Sequence, residues 1–189
     1  MLHRFRLVLI AAAIAPAVVS SAAAQDVPDR ASAVEYRAQF LKDLDTLNSK
    51  VMALANAIPA DKYDWRPGPG VRSFGEVFMH LASEYWLYTP VSFGAPRPGD
   101  FPRGQDGMKK FEANSSKDSV LKYLKGGYDY ARSSLMALDP AKLAGTQKIF
   151  GRDFTVLETG IAMTADMHEH LGQLIAYSRM NGIVPPWSR

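Results

Sequence analysis

The sequence predicts an all-α protein, a single-domain four-helix bundle, and two observations support that prediction. Four segments place apolar residues at intervals of three and four, which is the spacing of an amphipathic helix, and no segment shows the alternation of a half-buried strand. The chain of 189 residues contains no cysteine. Disulfides and thiolate-bound metals are therefore excluded, and a packed core must supply the stability.

The first 24 residues have the pattern of a secretory signal peptide. Two arginines precede an apolar run, and three alanines ending at Ala24 form a small-residue cleavage pattern before Gln25. The run is shorter than the ~20 residues that span a membrane. We predict cleavage between Ala24 and Gln25, and a secreted or periplasmic mature protein with no membrane span.

The charge of the chain gives no indication of a nucleic-acid partner. Removing the two leader arginines leaves 20 basic and 19 acidic residues, so the net charge falls from +3 to about +1. No basic stripe is visible along any predicted helix, and nucleic acid is not an expected partner.

The first two helices have clear boundaries in the sequence. Residues 31–57 carry an apolar stripe, and Pro59 ends that helix. The second helix is predicted to begin at Ser73, because Glu76 lies three residues later and completes a capping box. It is predicted to end before Pro90.

The last two helices are equally periodic. The third is predicted over residues 116–138, although Gly126 and Gly127 lie inside it and each costs about 1 kcal/mol relative to alanine. The fourth is predicted to begin at Thr155 with a second capping box, and to end at the Asn-Gly pair at 181–182.

Two long connections join these helices. Residues 61–72 contain three Gly/Pro turn signals, and residues 93–114 are rich in Gly, Pro and charge. The second is long for a compact domain, so we expect it to be mobile or to cover a site. Residues 146–154 are expected to form an extended turn around Gly151. No internal repeat or domain boundary is found, so residues 31–189 are predicted to be one domain.

The stretch 166-DMHEHLGQLIAYSRMNG-182 concentrates polar residues on the last predicted helix. A helix advances about 100° per residue, so Asp166 and His170 share one face. His168 lies about 200° from both and is expected to face solvent, which means that the two histidines of this triplet do not act together. Most neighbours of Asp166 and His170 on their face are apolar, and a carboxylate beside an imidazole is costly there unless the two are paired or bind a metal.

His80 of the second helix is a third candidate ligand. It lies at the edge of an apolar stripe and could converge with Asp166 and His170 between two helices. Two imidazoles and one carboxylate leave coordination positions open for water or substrate. The alternative is a buried polar network, in which Asp166 hydrogen-bonds to one of the histidines of a non-catalytic protein. A serine nucleophile elbow and a Gly-rich phosphate loop are both missing from the sequence.

Three pieces of the chain, taken together, carry a family resemblance. They are the W-R-P and V-R-S sequences within residues 65–73, the segment FGEVFMHLASE around His80, and H-L-G-Q at 170–173 followed by Tyr177. With these pieces the chain resembles the DinB-like (YfiT-like) superfamily of metalloenzymes from about residue 33 to its end. In that family a His of the second helix and an H-x-x-x-H pair of the last helix bind a divalent metal, commonly nickel or zinc.

The resemblance implies a ligand set with one change. His80 and His170 match two family ligands, Asp166 stands where the family has the other His, and Leu171 stands where it has Arg. A carboxylate can still bind Zn, Ni, Fe or Mn. We therefore predict one divalent metal, Zn or Ni first and Fe or Mn next, at His80, Asp166 and His170. Gln173 is predicted to hydrogen-bond a ligand or the substrate, and no catalytic residue is assigned.

The resemblance also implies a function. Relatives include thiol-dependent S-transferases and isomerases of the cytoplasm, whereas hydrolysis by a metal-activated water is the simpler reaction for an exported protein. We predict an exported metal-dependent hydrolase or thiol S-transferase that acts on a small molecule, and relatives often form homodimers. The alternative is a non-catalytic exported bundle with a vestigial metal site.

Overall fold

The structure is a computed structural model that describes residues 30–99, 101–149 and 151–188. Its helices are α1 (Arg30–Ala57), α2 (Phe74–Phe93), α3 (Gly104–Ala113), α4 (Lys117–Ala137) and α5 (Val156–Met180). Within these ranges no helix is long and apolar enough to cross a membrane. The predicted signal peptide, residues 1–24, lies outside the described residues.

The four long helices form the predicted bundle. α2 packs along both α4 and α5, and α1 packs along the same two helices from the other side. Buried apolar side chains at helical spacing fill the centre: Leu44, Leu47, Val51 and Leu54 of α1, Phe74, Val77, Phe78 and Leu81 of α2, Val120, Leu124 and Leu135 of α4, and Met163, Met167 and Leu174 of α5. The apolar stripes that predicted the helices are therefore the surfaces that pack.

Both predicted capping boxes are present. The backbone N–H of Glu76 donates to Ser73 Oγ (3.3 Å), and the backbone N–H of Ser73 donates to Glu76 Oε2 (2.7 Å). Thr155 and Glu158 make the same reciprocal pair at 3.1 and 2.6 Å. Each box satisfies backbone donors that a helix start leaves free, and so fixes where α2 and α5 begin.

The end of α2 differs from the prediction. The helix does not end before Pro90 but continues to Phe93, and Gly94 terminates it with φ at 64°. Pro90 removes a backbone donor, which normally breaks a helix interior. Tertiary packing outweighs that loss here, because Thr89 is fully buried and Phe93 packs edge-to-face on Phe40 of α1, with ring centroids 6.0 Å apart.

The connection 93–114 contains a helix that the sequence did not predict. α3 has no fully buried residue among those described, and its two glycines weaken the periodic signal. It is held by Phe111, whose ring lies edge-to-face with Tyr123 of α4 (4.9 Å) and with Phe101 (5.9 Å). Glu112 of α3 lies 2.7 Å from His80 of α2, so this connection covers that side chain.

A short antiparallel hairpin precedes α5. Strand β1 (Thr146–Ile149) pairs with β2 (Arg152–Thr155), so that Thr146 lies opposite Thr155. Gly151, with φ at 79°, makes the turn, a conformation that glycine adopts without strain. The extended turn expected around Gly151 is confirmed.

Candidate metal centre

Two pairs of polar side chains face each other where α2 passes α5. His80 and Glu84 lie four residues apart on α2, and Asp166 and His170 lie four residues apart on α5. One ligand atom from each of the four lies within 4.8 Å of the other three. The exposed fraction is 3% for the Glu84 side chain, 14% for His170, 22% for His80 and 38% for Asp166, so the group is closed at Glu84 and opens to solvent at Asp166.

The Glu84 carboxyl faces both histidines of this group. Its Oε1 atom lies 3.2 Å from His80 Nε2 and 3.8 Å from His170 Nε2. Asp166 Oδ1 lies 3.7 Å from the same His170 nitrogen. The two imidazole rings meet edge-to-face, with centroids 4.6 Å apart and an interplanar angle of 88°. Both Nε2 atoms therefore point into one small space.

The other nitrogen of His80 is bound from α3. His80 Nδ1 lies 2.7 Å from Glu112 Oε1. Burial raises the pKa of Glu112, but the hydrogen bond from His80 and the nearby charges of His80 and Arg72 outweigh it and lower that pKa overall. Because an ionised carboxylate only accepts, Nδ1 donates a proton to Glu112, and Nε2 is the ring nitrogen that faces Glu84.

His170 is held in a corresponding way from within α5. Its Nδ1 donates to Gln173 Oε1 (3.1 Å), the Gln173 amide donates to Tyr177 Oη (2.8 Å), and that hydroxyl donates to the Arg72 carbonyl (3.3 Å). Arg72 Nε also donates to Glu112 Oε2 (3.1 Å). Arg72 thus contacts the hydrogen-bond partners of both histidines, Glu112 directly and Gln173 through Tyr177. Partners of this kind orient imidazole ligands at metal sites.

The residues present fit a divalent cation. Both Glu84 oxygens are buried, and no described residue makes a hydrogen bond to either. Burial, together with the neighbouring Asp166 carboxylate, raises the pKa of Glu84 to about 10. Two imidazole nitrogens and two carboxyl groups converge there, and in the metal-free site the proton retained by Glu84 is the donor. A divalent cation would take the place of that proton and could be bound by all four side chains.

The predicted ligands are brought together, and their role as ligands stays a prediction. His80, Asp166 and His170 all lie in the group, and Gln173 Oε1 lies 3.1 Å from His170 Nδ1. Sequence reasoning missed Glu84, although a signal exists: His80-x-x-x-Glu84 on α2 mirrors Asp166-x-x-x-His170 on α5.

The face assignment of the other histidine is confirmed. His168 is 45% exposed, and its Nε2 lies 3.1 Å from Asp43 Oδ1 of α1, away from the metal centre.

Sequence reasoning missed Glu112 as well as Glu84, because Glu112 belongs to α3, which the sequence did not predict.

Fold and site together define a class, a helical bundle with a candidate metal centre between two of its long helices. The family model described as the DinB superfamily matches residues 43–174, which is more than half of the chain. The chain belongs to the DinB superfamily. No match was found among the curated proteins.

Two solved structures share the fold. A DinB-like protein from Bacillus subtilis is 18% identical, with a TM-score of 0.61, over 76% of this chain and 92% of that one. A DinB-like protein from Bacillus cereus is 14% identical, with a TM-score of 0.65, over 78% of this chain and 93% of that one. At these identities the likeness is one of fold.

Proposed function

We propose that this protein is an exported metal-dependent enzyme that binds one divalent cation through His80, Asp166, His170 and Glu84. The observation that carries the proposal is the Glu84 carboxyl, which is buried, accepts no hydrogen bond from a described residue and faces the Nε2 atoms of both histidines. A purely structural carboxyl at this depth would be expected to have a hydrogen-bond donor.

The chemistry follows from the ligand types and from the open side of the site. A divalent metal held there would act as a Lewis acid that lowers the pKa of a bound water or thiol. The solvent-facing side at Asp166 is where a small substrate would approach. Burial and the charges of Asp166 and Glu84 raise the pKa of Tyr88, so its hydroxyl stays protonated near the site and can donate a hydrogen bond to a substrate.

The metal and the reaction are proposed from the same donors. Two imidazoles suit Zn or Ni, and each carboxylate makes Fe or Mn more competitive. Hydrolysis is the first reaction to test and thiol S-transfer the second.

Export is proposed from the signal-peptide pattern that ends at Ala24, and N-terminal sequencing of the exported protein should read from Gln25.

Metal content tests the proposal directly. The mature protein, purified without a His tag, is incubated with Zn, Ni, Mn or Fe(II), desalted, and measured by mass spectrometry for metal per chain. We expect about one equivalent in the wild type and in His168→Ala, and a large loss in His170→Ala and Asp166→Ala. His168→Ala is the matched control, since it removes an imidazole of the same helix from the other face.

Chelation separates this function from its alternative. A ligand that binds only the folded state at 100 times its Kd adds about 2.7 kcal/mol of stability, so EDTA should lower the Tm of the wild type but not of His170→Ala. Near-zero metal and an unchanged Tm would instead favour a non-catalytic bundle with a vestigial site.

A further inference from the structure

A pocket lies among α2, α3 and α4, and none of the candidate metal ligands lines it. Its volume is about 290 Å³. The lining residues include four aromatic side chains, one lysine and one glycine: Trp86, Phe101, Phe111, Tyr123, Lys122 and Gly126. None of these is a candidate metal ligand, so the pocket is a separate site.

The aromatic walls are held in place by their own contacts. The Trp86 ring stacks with Phe101 (6.2 Å between centroids, 22° between planes) and with Tyr130 (5.2 Å, 18°). Phe111 meets Tyr123 edge-to-face at 4.9 Å. Aromatic walls that already pack on one another lose little conformational freedom when a ligand binds.

Gly126 lets the backbone of α4 line the pocket. Its neighbour Gly127 is required by packing, because a Cβ there would lie 2.9 Å from Tyr85 Cβ and 3.0 Å from Trp86 Nε1. A Cβ on Gly126 would lie 3.4 Å from the Trp86 ring, an ordinary contact that alanine could make. Gly126 therefore brings the α4 backbone close to the Trp86 ring, and a larger side chain at this position would enter the pocket.

Lys122 gives the pocket its charge. Its Nζ lies 5.3 Å from the centroid of the Tyr123 ring. Within the described residues it forms no ion pair with a carboxylate, whereas Lys125 on the same helix is paired with Asp129 at 2.6 Å. The pocket therefore combines aromatic faces with one cation that has no acidic partner in the described part of the chain.

We propose that this pocket binds a small, flat aromatic carboxylate. The ring would lie among Trp86, Phe111 and Tyr123, next to the α4 backbone at Gly126, and the carboxylate would lie beside Lys122 Nζ. The volume fits one or two fused rings, because it is near the lower end of small-molecule pockets, ~300 Å³, and about twice a ~150 Å³ cavity that holds benzene.

The test is isothermal titration calorimetry of the mature protein with 2-naphthoate and with the neutral 2-naphthamide. We expect saturable one-to-one binding of 2-naphthoate with a Kd on the order of 0.1 mM or tighter. Lys122→Gln should weaken 2-naphthoate about threefold and leave 2-naphthamide unchanged, because an exposed ion pair adds little. Gly126→Leu should weaken both ligands more than about tenfold by filling the pocket.

Two controls make the result specific. Gly172→Leu places the same side chain on α5, where a Cβ meets nothing within 4 Å, and should leave both Kd values unchanged. EDTA and His170→Ala should also leave them unchanged, so the outcome is independent of the metal centre. Circular dichroism checks the fold of each variant, and Phe111→Leu, which removes one aromatic wall, should weaken binding if Gly126→Leu does not fold.

The proposal is overturned by any of three results. The first is that 2-naphthoate does not bind the wild type saturably. The second is that Gly126→Leu or Phe111→Leu binds 2-naphthoate with the wild-type Kd. The third is that Lys122→Gln weakens the binding of both ligands equally.

Discussion

Glu84 is the residue whose surroundings are hardest to explain without a cation. Its carboxyl is 3% exposed and has no hydrogen-bond donor among the described residues. Burial and the nearby Asp166 carboxylate raise the pKa of Glu84 to about 10. The folded metal-free protein therefore holds a proton that the unfolded chain releases at neutral pH, and its stability falls as pH rises above the unfolded pKa.

Glu84→Gln should have opposite effects on metal binding and on metal-free stability. The variant should bind less metal, because the amide cannot supply a carboxylate ligand. In EDTA at pH 7 it should be more stable than the wild type by about 2 kcal/mol, because the cost of keeping a buried acid protonated is gone. Urea unfolding with and without EDTA measures both effects. Unchanged metal content together with lower stability would show that Glu84 is a structural residue.

Glu112 acts on the site through His80 and is a positioning residue. It accepts the His80 Nδ1 proton at 2.7 Å, and Arg72 holds its other oxygen at 3.1 Å. Glu112→Ala should weaken metal binding about 10- to 100-fold, which is the usual effect of removing the hydrogen-bond partner of an imidazole ligand. Competition with a chromophoric chelator gives the Kd.

The control and the rescue distinguish positioning from general destabilisation. Glu169→Ala removes an exposed carboxylate of α5 and should leave the metal Kd unchanged. Glu112→Gln should recover part of the lost affinity, because its amide oxygen still accepts from Nδ1. Equal Kd values for Glu112→Ala and Glu112→Gln would argue against the role of the hydrogen bond.

At the scale of elements, the approach of α4 to α2 depends on Gly127. A Cβ at this position would lie 2.9 Å from Tyr85 Cβ, closer than side chains pack, so α4 would have to move away. Gly127→Ala should therefore cost about 1–3 kcal/mol, despite the better helix propensity of alanine. Chemical denaturation measures this change in the free energy of unfolding.

Gly172→Ala is the matched control for that prediction. It makes the same change in α5 where nothing lies within 4 Å of the added Cβ, and it should stabilise the protein by up to about 1 kcal/mol. If both variants were stabilised alike, the α2–α4 distance would not depend on Gly127.

At the scale of the whole molecule, Asp45 links α1 to α4 through an ion pair whose contribution to stability depends on pH. Arg132 Nε donates to Asp45 Oδ1 at 2.9 Å, and Tyr128 donates to the same oxygen at 2.6 Å. The hydrogen bond from Arg132, only partly offset by burial, lowers the pKa of Asp45. A depressed acid stabilises the fold above its unfolded pKa, and that contribution is lost as pH falls through its folded pKa.

Asp45→Asn should therefore matter at neutral pH and not in acid. Asp45 and Arg132 are each 38% exposed, so solvent screening limits the effect to about 0.2–1 kcal/mol at about pH 6. The difference from the wild type should shrink as pH falls below about 4, toward the lowered pKa of Asp45. Thermal unfolding in EDTA from about pH 6 to about pH 2 checks this, and a difference that does not shrink in acid would contradict it.

The sequence by itself determined the features that depend on near neighbours in the chain. Apolar spacing predicted the four long helices, and the Ser73/Glu76 box predicted a helix start, because both arise within a few residues. The same angular argument placed Asp166 and His170 on one face and His168 on another. The signal peptide ending at Ala24 remains a prediction from its pattern.

Only the tertiary structure decided the features that depend on what a segment packs against. Pro90 lies inside α2 because contacts such as Phe93 on Phe40 outweigh a missing backbone donor. Glu84 belongs to the candidate metal centre because α2 turns that face toward α5. Glu112 contacts His80 because α3 packs over α2. Burial and convergence of side chains from distant segments are properties of packing, and no local pattern in the chain encodes them.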